Sequence, residues 1–204
     1  MQTYQEFFDD LAIRWDSMQS PERIRRLQYL LAQFEPLWQS THTILDVGTG
    51  TGALLPLLPT YAPNAKIVAM DLSPEMLSRA KSRPGSAPLL QANGLQLPFA
   101  TDTFSVAICH AVFPHFSDKP AALLDLRRVL VPGGTLLILH EISREQVNTI
   151  HRRVQGPINS DRVPLADEMR SLLVAAGFEE ILVEDATDHY LAVAKKSADK
   201  VPVT

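Results

Sequence analysis

From Tyr4 to Met18 apolar residues recur at helical spacing, at Phe7, Phe8, Leu11, Trp15 and Met18, which predicts a helix with one buried stripe. Ser20 followed by Pro21 reads as the cap and first turn of a second helix. The period then changes. Thr43 to Val47 is a short apolar run of strand type that enters Gly48-Thr49-Gly50-Thr51-Gly52, and Ala53 to Leu58 reads as the start of a helix. The unit repeats with a strand over Lys66 to Asp71 and a helix opened by Ser73 and Pro74, and such alternation implies a parallel sheet. Further strands are predicted at Pro88 to Gln91, Ser105 to His110 and Gly134 to His140, with helices at Lys119 to Leu130, Ser143 to Val154 and Leu165 to Ala176. Gly177 closes the last helix, and the runs Glu179 to Asp185 and His189 to Lys195 predict a terminal antiparallel hairpin, after which Ser197 to Thr204 are expected to fray.

At 204 residues, 46% hydrophobic and 21% charged, the chain has the size and composition of one globular domain. A formal net charge of −4 argues against a broad phosphate-binding surface, and the cluster Arg23, Arg25, Arg26 reads as a solvated helix face. Cys109 is the single cysteine, so an intrachain disulfide and a cysteine-based metal site are excluded. The acidic first residues lack the form of a signal peptide and no apolar run reaches membrane-spanning length, so a cytoplasmic protein without membrane insertion is expected.

Glycines at alternate positions let backbone approach a ligand closely, and the helix expected to follow would offer N–H groups to a carboxylate or phosphate. About 20 residues further on, Asp71 ends the second strand, where a carboxylate accepts from both hydroxyls of a ribose. The pair implies a nucleoside-containing ligand. A nicotinamide dehydrogenase is disfavoured, because the glycine spacing departs from G-x-G-x-x-G and Asp46 would repel a pyrophosphate while suiting an ammonium group. Asp46 also has a scaffolding reading, as a tie between the loop and backbone N–H groups.

Ile44 to Gly52, Val68 to Leu77, Leu97-Pro98-Phe99 and Arg128 to Gly134 resemble, in order and spacing, four motifs of class I S-adenosylmethionine-dependent methyltransferases. The likeness is to the small type-11 group, typified by ubiquinone and menaquinone biosynthesis, and covers Asp9 to Lys195. It implies an α/β, Rossmann-like, doubly wound sheet of seven strands, mostly parallel with an antiparallel C-terminal strand and helices on both faces. On that reading the single domain 1–204 divides into N-terminal helices (1–40), a cofactor-binding core (41–140), and acceptor-side helices with the hairpin (141–196).

The resemblance assigns S-adenosylmethionine as cofactor and S-adenosylhomocysteine as product. Asp46 and Gly48, Thr49, Gly50 and Gly52 would hold the methionine moiety, with His110 beside it; Asp71 would hold the ribose; Leu72 and Met76 the adenine face; Asn93, Gly94 and Leu95 its edge. Asn93 stands where the family usually has aspartate and can accept through its amide oxygen. Ser105 stands where the family has the aspartate of a Phe-Asp pair, a change expected to affect local capping only.

Methyl transfer from a sulfonium is an in-line displacement that needs a base only when the acceptor carries a proton to lose. Ligands of doubly wound sheets sit beyond the carboxyl ends of the strands, where His110, His115, His140 and Glu141 fall. His115 and His140 are the candidate acid–base groups, each with the alternative of a hydrogen-bonded scaffold histidine. Arg144, Asn148, His151 and Gln155 share one helix face. That stripe is either solvated or, with Glu141, lines an acceptor pocket. Trp15 and Asp16 are candidates to close over the cofactor. No metal is expected, because the histidines lack H-x-x-x-H or H-E-x-x-H spacing. The expected partner is a small-molecule methyl acceptor and no nucleic acid, with a homodimer left open. Two alternatives stand beside catalysis on a small molecule: a non-catalytic binder of the same cofactor, and a protein or RNA methyltransferase, against which Cys109 to His115 offers no Asn-Pro-Pro-Tyr-like motif.

Overall fold

The computed structural model describes residues 2–18, 20–85 and 87–198. The predicted first helix is α1 (Tyr4–Trp15), started by a capping box in which Thr3 and Glu6 satisfy each other's backbone N–H, and prolonged by a 3-10 turn at Asp16–Met18. Ser20 caps α2 (Pro21–Ala32), and a short α3 (Glu35–Gln39), not foreseen, brings Trp38 into the core. The glycine loop follows β1 (Thr43–Val47).

Here one expectation fails. Ala53 to Leu57 form successive tight turns, and α4 is confined to Leu58–Tyr61. Pro56 disfavours a helical Leu55 and has no N–H to donate, so the helix expected to follow the glycines does not form. Backbone amides of the loop itself, not a helix N-terminus, face the space above the strand.

The other elements fall within a few residues of expectation: β2 (Lys66–Asp71), α5 (Pro74–Ala80), β3 (Leu89–Gln91), β4 (Phe104–His110), α6 (Lys119–Val129), α7 (Arg144–Arg153), α8 (Ala166–Ala175), β6 (Phe178–Asp185) and β7 (Tyr190–Lys196). The strand β5 (Leu130–His140) starts before Gly134, because Leu130 already pairs with Phe104 across a bulge that takes up the intervening residues. Residues 199–204 of the end expected to fray lie outside the described residues.

The sheet has seven strands in the order β3-β2-β1-β4-β5-β7-β6, all neighbours parallel except where β7 runs antiparallel between β5 and β6. Alternation along the strands separates two cores. Leu45, Ala107, Cys109, Leu136 and Ile138 face α6 and α8, where they meet Leu123, Leu126, Met169 and Leu173. Ile44, Val106, Ile108, Leu137 and Leu139 face the other way, onto Leu27 and Leu31 of α2, Trp38 and Leu58. Both faces are covered, which is why the central strands read as continuous apolar runs. Strand order reverses between β1 and β4, and their carboxyl ends open there into the crevice where such sheets bind ligands.

Ser105 confirms the reading of local capping: its Oγ accepts from the backbone N–H groups of His42 and Thr43 and donates to the carbonyl of Thr43.

Candidate active site

Gly48, Gly50 and Gly52 have φ of 69°, 55° and 82°, the left-handed region that glycine occupies without strain. Asp71, at the end of β2, is bound to this loop: its Oδ2 accepts from Gly50 N–H at 2.8 Å and its Oδ1 from Ser73 N–H at 2.9 Å. Burial raises its carboxyl above the ordinary value, with those N–H groups acting in the opposite sense.

A cavity of about 450 Å³ opens over the crevice. Of the residues singled out in the sequence, Gly48, Thr49, Gly50, Asp71, Leu72, Met76, Asn93, Gly94, Leu95, His110, His115 and Glu141 are on its wall, together with Trp15 and Asp16. Asp16 accepts from the hydroxyl of Thr51 at 2.6 Å and pairs with Arg83 at 2.7 Å, so the end of α1 is tied to the glycine loop. Asn93 uses its amide oxygen to accept from Leu95 N–H at 2.9 Å.

Asp46 and Gly52 are not on the wall. Asp46 is buried; Oδ2 accepts from the Thr49 hydroxyl at 2.7 Å and Oδ1 has no partner. Burial pushes its carboxyl up to about 6, against the Thr49 bond and His110. Its tie is to a side chain of the loop and not to the backbone N–H groups expected. The Cβ position of Gly52 faces Leu55, Ala80 and Arg83.

His140 is also off the wall, 2% exposed, with an unpartnered Nε2, and burial pushes it down to about 3. It stays neutral and sealed, which corrects its candidacy as an acid–base group. An unfolded histidine takes up a proton near pH ~6.5, so this contribution to stability is complete above that pH and is lost as pH falls towards 3. Asp46 acts in the opposite sense, its contribution falling as pH rises from about 3.9 through 6. Comparing His140→Gln with wild type isolates the histidine. Between pH ~7.5 and ~5 the wild-type melting temperature should fall relative to the variant by about 3–5 °C per unit, the equivalent of about 1.4 kcal/mol. Parallel melting curves against pH would refute a neutral His140.

The polar stripe of α7 is neither solvated as a whole nor part of the pocket. Asn148 is buried and bonds both ways to the backbone of Val163, at 2.8 and 3.2 Å. His151 is buried with Nδ1 at 3.0 Å from the carbonyl of Asp161. Arg144 pairs with Asp185 at 2.5 Å, and Gln155 is exposed. The stripe anchors the segment between α7 and α8.

That segment carries a residue the sequence reading missed. Asp161 Oδ2 lies 2.7 Å from His115 Nδ1, and Oδ1 accepts from the Tyr4 hydroxyl at 2.7 Å. Nothing in the sequence joins positions 157 residues apart. Arg23 was also misread. Arg25 and Arg26 are paired with Glu22 on the outer face, but Arg23 turns inward and its guanidinium is paired with Glu141, whose other oxygen lies 2.9 Å from His110 Nε2. Its place four residues before buried Leu27 was the available signal. Burial acts to raise the Glu141 carboxyl, but His110 and Arg23 outweigh it and hold it well below the usual range. Among the described residues no group of three or more His, Cys, Asp or Glu side chains is placed to hold a metal ion, and no helix is long and apolar enough to cross a membrane.

The family described as a methyltransferase domain, type 11, matches residues 45–138. Demethylmenaquinone methyltransferase of Deinococcus radiodurans is 33% identical over 144 residues, covering 68% of this chain and 60% of the relative. The O-methyltransferase rstn1 of Aspergillus nomiae is 31% identical over 157 residues, covering 71% of this chain and 68% of that protein. A solved S-adenosylmethionine-dependent methyltransferase of Thermotoga maritima superposes with a TM-score of 0.74 at 18% identity, covering 95% of this chain and 99% of the other, a likeness of fold. The chain spans 60% and 63% of the lengths of the Deinococcus radiodurans and Thermus thermophilus relatives. It belongs to the type-11 family of class I S-adenosylmethionine-dependent methyltransferases.

Proposed function

We propose that the chain binds S-adenosylmethionine in the crevice cavity and transfers its methyl group to a small, largely apolar acceptor. The observation that carries the reading is the Asp71 carboxylate held against the glycine loop on the wall of a cavity of about 450 Å³, within the range of small-molecule sites.

The residues present suit that cofactor. Each carboxylate oxygen of Asp71 accepts one backbone N–H and has a lone pair left for a ribose hydroxyl. A Cβ built on Gly50 meets nothing within 4 Å, so the loop backbone there is open to a ligand. Leu72 and Met76 offer an apolar face to adenine, and Asn93 shares its oxygen between Leu95 N–H and the adenine edge. Thr49 presents the loop with Asp46 behind it, so Asp46 acts on the methionine moiety at one remove. When bound, S-adenosylmethionine supplies a sulfonium methyl group open to in-line displacement.

The chain's own part is alignment and the exclusion of water. Tyr4, Phe8, Trp15, Ile24 and Leu27 of the N-terminal helices form the opposite wall. Holding two reactants in a near-attack geometry contributes roughly 7–11 kcal/mol at best. The apolar character of this wall supports an apolar acceptor, as does a relative named for demethylmenaquinone. The reading includes a cytoplasmic protein acting on a small molecule and not on nucleic acid.

Calorimetric titration of the folded chain with S-adenosylmethionine and S-adenosylhomocysteine should give micromolar binding to both and none to NAD. Absence of binding by a folded sample would overturn the proposal.

A further inference from the structure

We propose that Asp161 and Tyr4 lock His115 in the tautomer with an unprotonated Nε2, making His115 the base that takes a hydroxyl proton from a planar apolar acceptor. This rests on the methyl-transfer reading above and adds the acceptor class and two positioning residues.

The lock follows from counting donors. An ionised Asp161 has no proton to give, and its Oδ1 already accepts from the Tyr4 hydroxyl, so the 2.7 Å contact at Oδ2 must be donated by His115 Nδ1. Burial and the Asp161 carboxylate raise the Tyr4 phenol well above its ordinary value, which keeps it a donor. The lone pair of His115 is thereby placed on Nε2. That atom has no hydrogen-bond partner in the protein and is not among the buried unpartnered atoms, and His115 is on the cavity wall. The ring is fixed in orientation by Phe8, edge-on with centroids 5.1 Å apart, and by His151 at 5.0 Å, whose Nδ1 bonds the Asp161 carbonyl.

His110 is the other histidine on the wall, but its carboxylate partner is shared with Arg23. A proton gained there would stand beside a fixed positive charge, whereas His115 has Asp161 with a neutral phenol as its only other side-chain partner. The surroundings of His115 choose the acceptor. Tyr4, Phe8 and Phe116 are aromatic, and Ile24 and Leu27 complete an apolar wall, so an apolar ring that brings one hydroxyl to Nε2 matches what is offered.

In the step, the hydroxyl proton passes to Nε2, the oxygen's electron pair forms the new O–C bond, and the S–C bond breaks with its pair returning to sulfur. The imidazolium then yields its proton to water. Atoms and charge balance without a further reactant.

The test is nitrogen NMR of histidine-labelled protein saturated with S-adenosylhomocysteine, with His115 assigned by its loss in His115→Gln. The wild type should show a protonated Nδ1 and a bare Nε2. Asp161→Asn should move the proton to Nε2, because the Tyr4 hydroxyl holds the amide oxygen and leaves the NH2 group facing Nδ1. Adding Tyr4→Phe frees the amide to turn over, and the double variant should regain the wild-type tautomer. A purely structural Asp161 would give no such reversal. As probe, 2-naphthol should shift the His115 resonances and bind about tenfold more weakly to His115→Gln, while 2-methoxynaphthalene should bind both proteins alike. A protonated Nε2 in the wild type, or one tautomer throughout, would overturn the lock; naphthol binding no tighter than its ether would overturn the acceptor class. Should S-adenosylhomocysteine fail to bind, the cofactor reading falls, and the tautomers measured in the free protein still decide the lock.

Discussion

Asp71→Ala should lower affinity for S-adenosylhomocysteine about 100-fold, a loss of about 3 kcal/mol, through removal of charge-assisted bonds to the ribose. Read from sequence, this carboxylate had a ligand to hold and nothing else. In the structure it also bonds the N–H groups of Gly50 and Ser73, so the variant should melt a few degrees lower as well. Asp71→Asn keeps one acceptor and should fall between. The two effects separate by titrating each variant well below its melting temperature. Unchanged affinity in a folded Asp71→Ala protein would remove this residue from the site.

Two glycines of the loop should fail in different ways. An Ala Cβ at position 48 would lie 2.3 Å and 2.5 Å from Val112 Cγ2 and Cβ, at a φ of 69° that already disfavours alanine. Overpacking and backbone strain together predict a loss of about 3 kcal/mol in stability, or roughly 10 °C in melting temperature. At position 50 a Cβ meets nothing within 4 Å, so Gly50→Ala should cost only about 1 kcal/mol of strain. Its methyl group would stand where a ligand approaches the backbone, so S-adenosylhomocysteine affinity should drop at least about tenfold. Thermal melts and calorimetry on both variants check the pair. Equal stability losses would show that the loop is governed by φ alone and that the contact with Val112 is dispensable.

Much of the fold was legible because it is written in local pattern. Alternation put Ile44 and Leu45 on opposite faces of β1, the Ser73 and Pro74 pair opened α5, and Gly177 closed α8. The miss at Ala53 to Leu58 is local too: the prolines at 56 and 59 outweighed an apolar run that looked helical. The site was legible where residues adjoin the glycine turn or the ends of β2 and β4, since topology alone carries them to the crevice. It was illegible where a side chain reaches the cavity from an irregular segment. Asp161 has no periodic neighbour to betray it, and His140, one residue from Glu141, turns the other way because successive strand residues face opposite sides. The α7 stripe failed for a related reason. Helical spacing says which residues share a face, not whether the face meets solvent, a ligand or another stretch of backbone.

The first helices touch the rest of the molecule through polar pairs as much as through apolar contact. Tyr4 bonds Asp161, Asp9 bonds Ser73, Asp16 bonds Thr51 and Arg83, and Arg23 bonds Glu141, so residues 4–23 are tied to four separate parts of the fold around one cavity. No single tie, once broken, frees the segment, and opening the cavity from this side means releasing all of them in concert. Residence time of anything enclosed there is then set by a cooperative local unfolding event, with the steep temperature dependence of such events in place of the shallow one of diffusion.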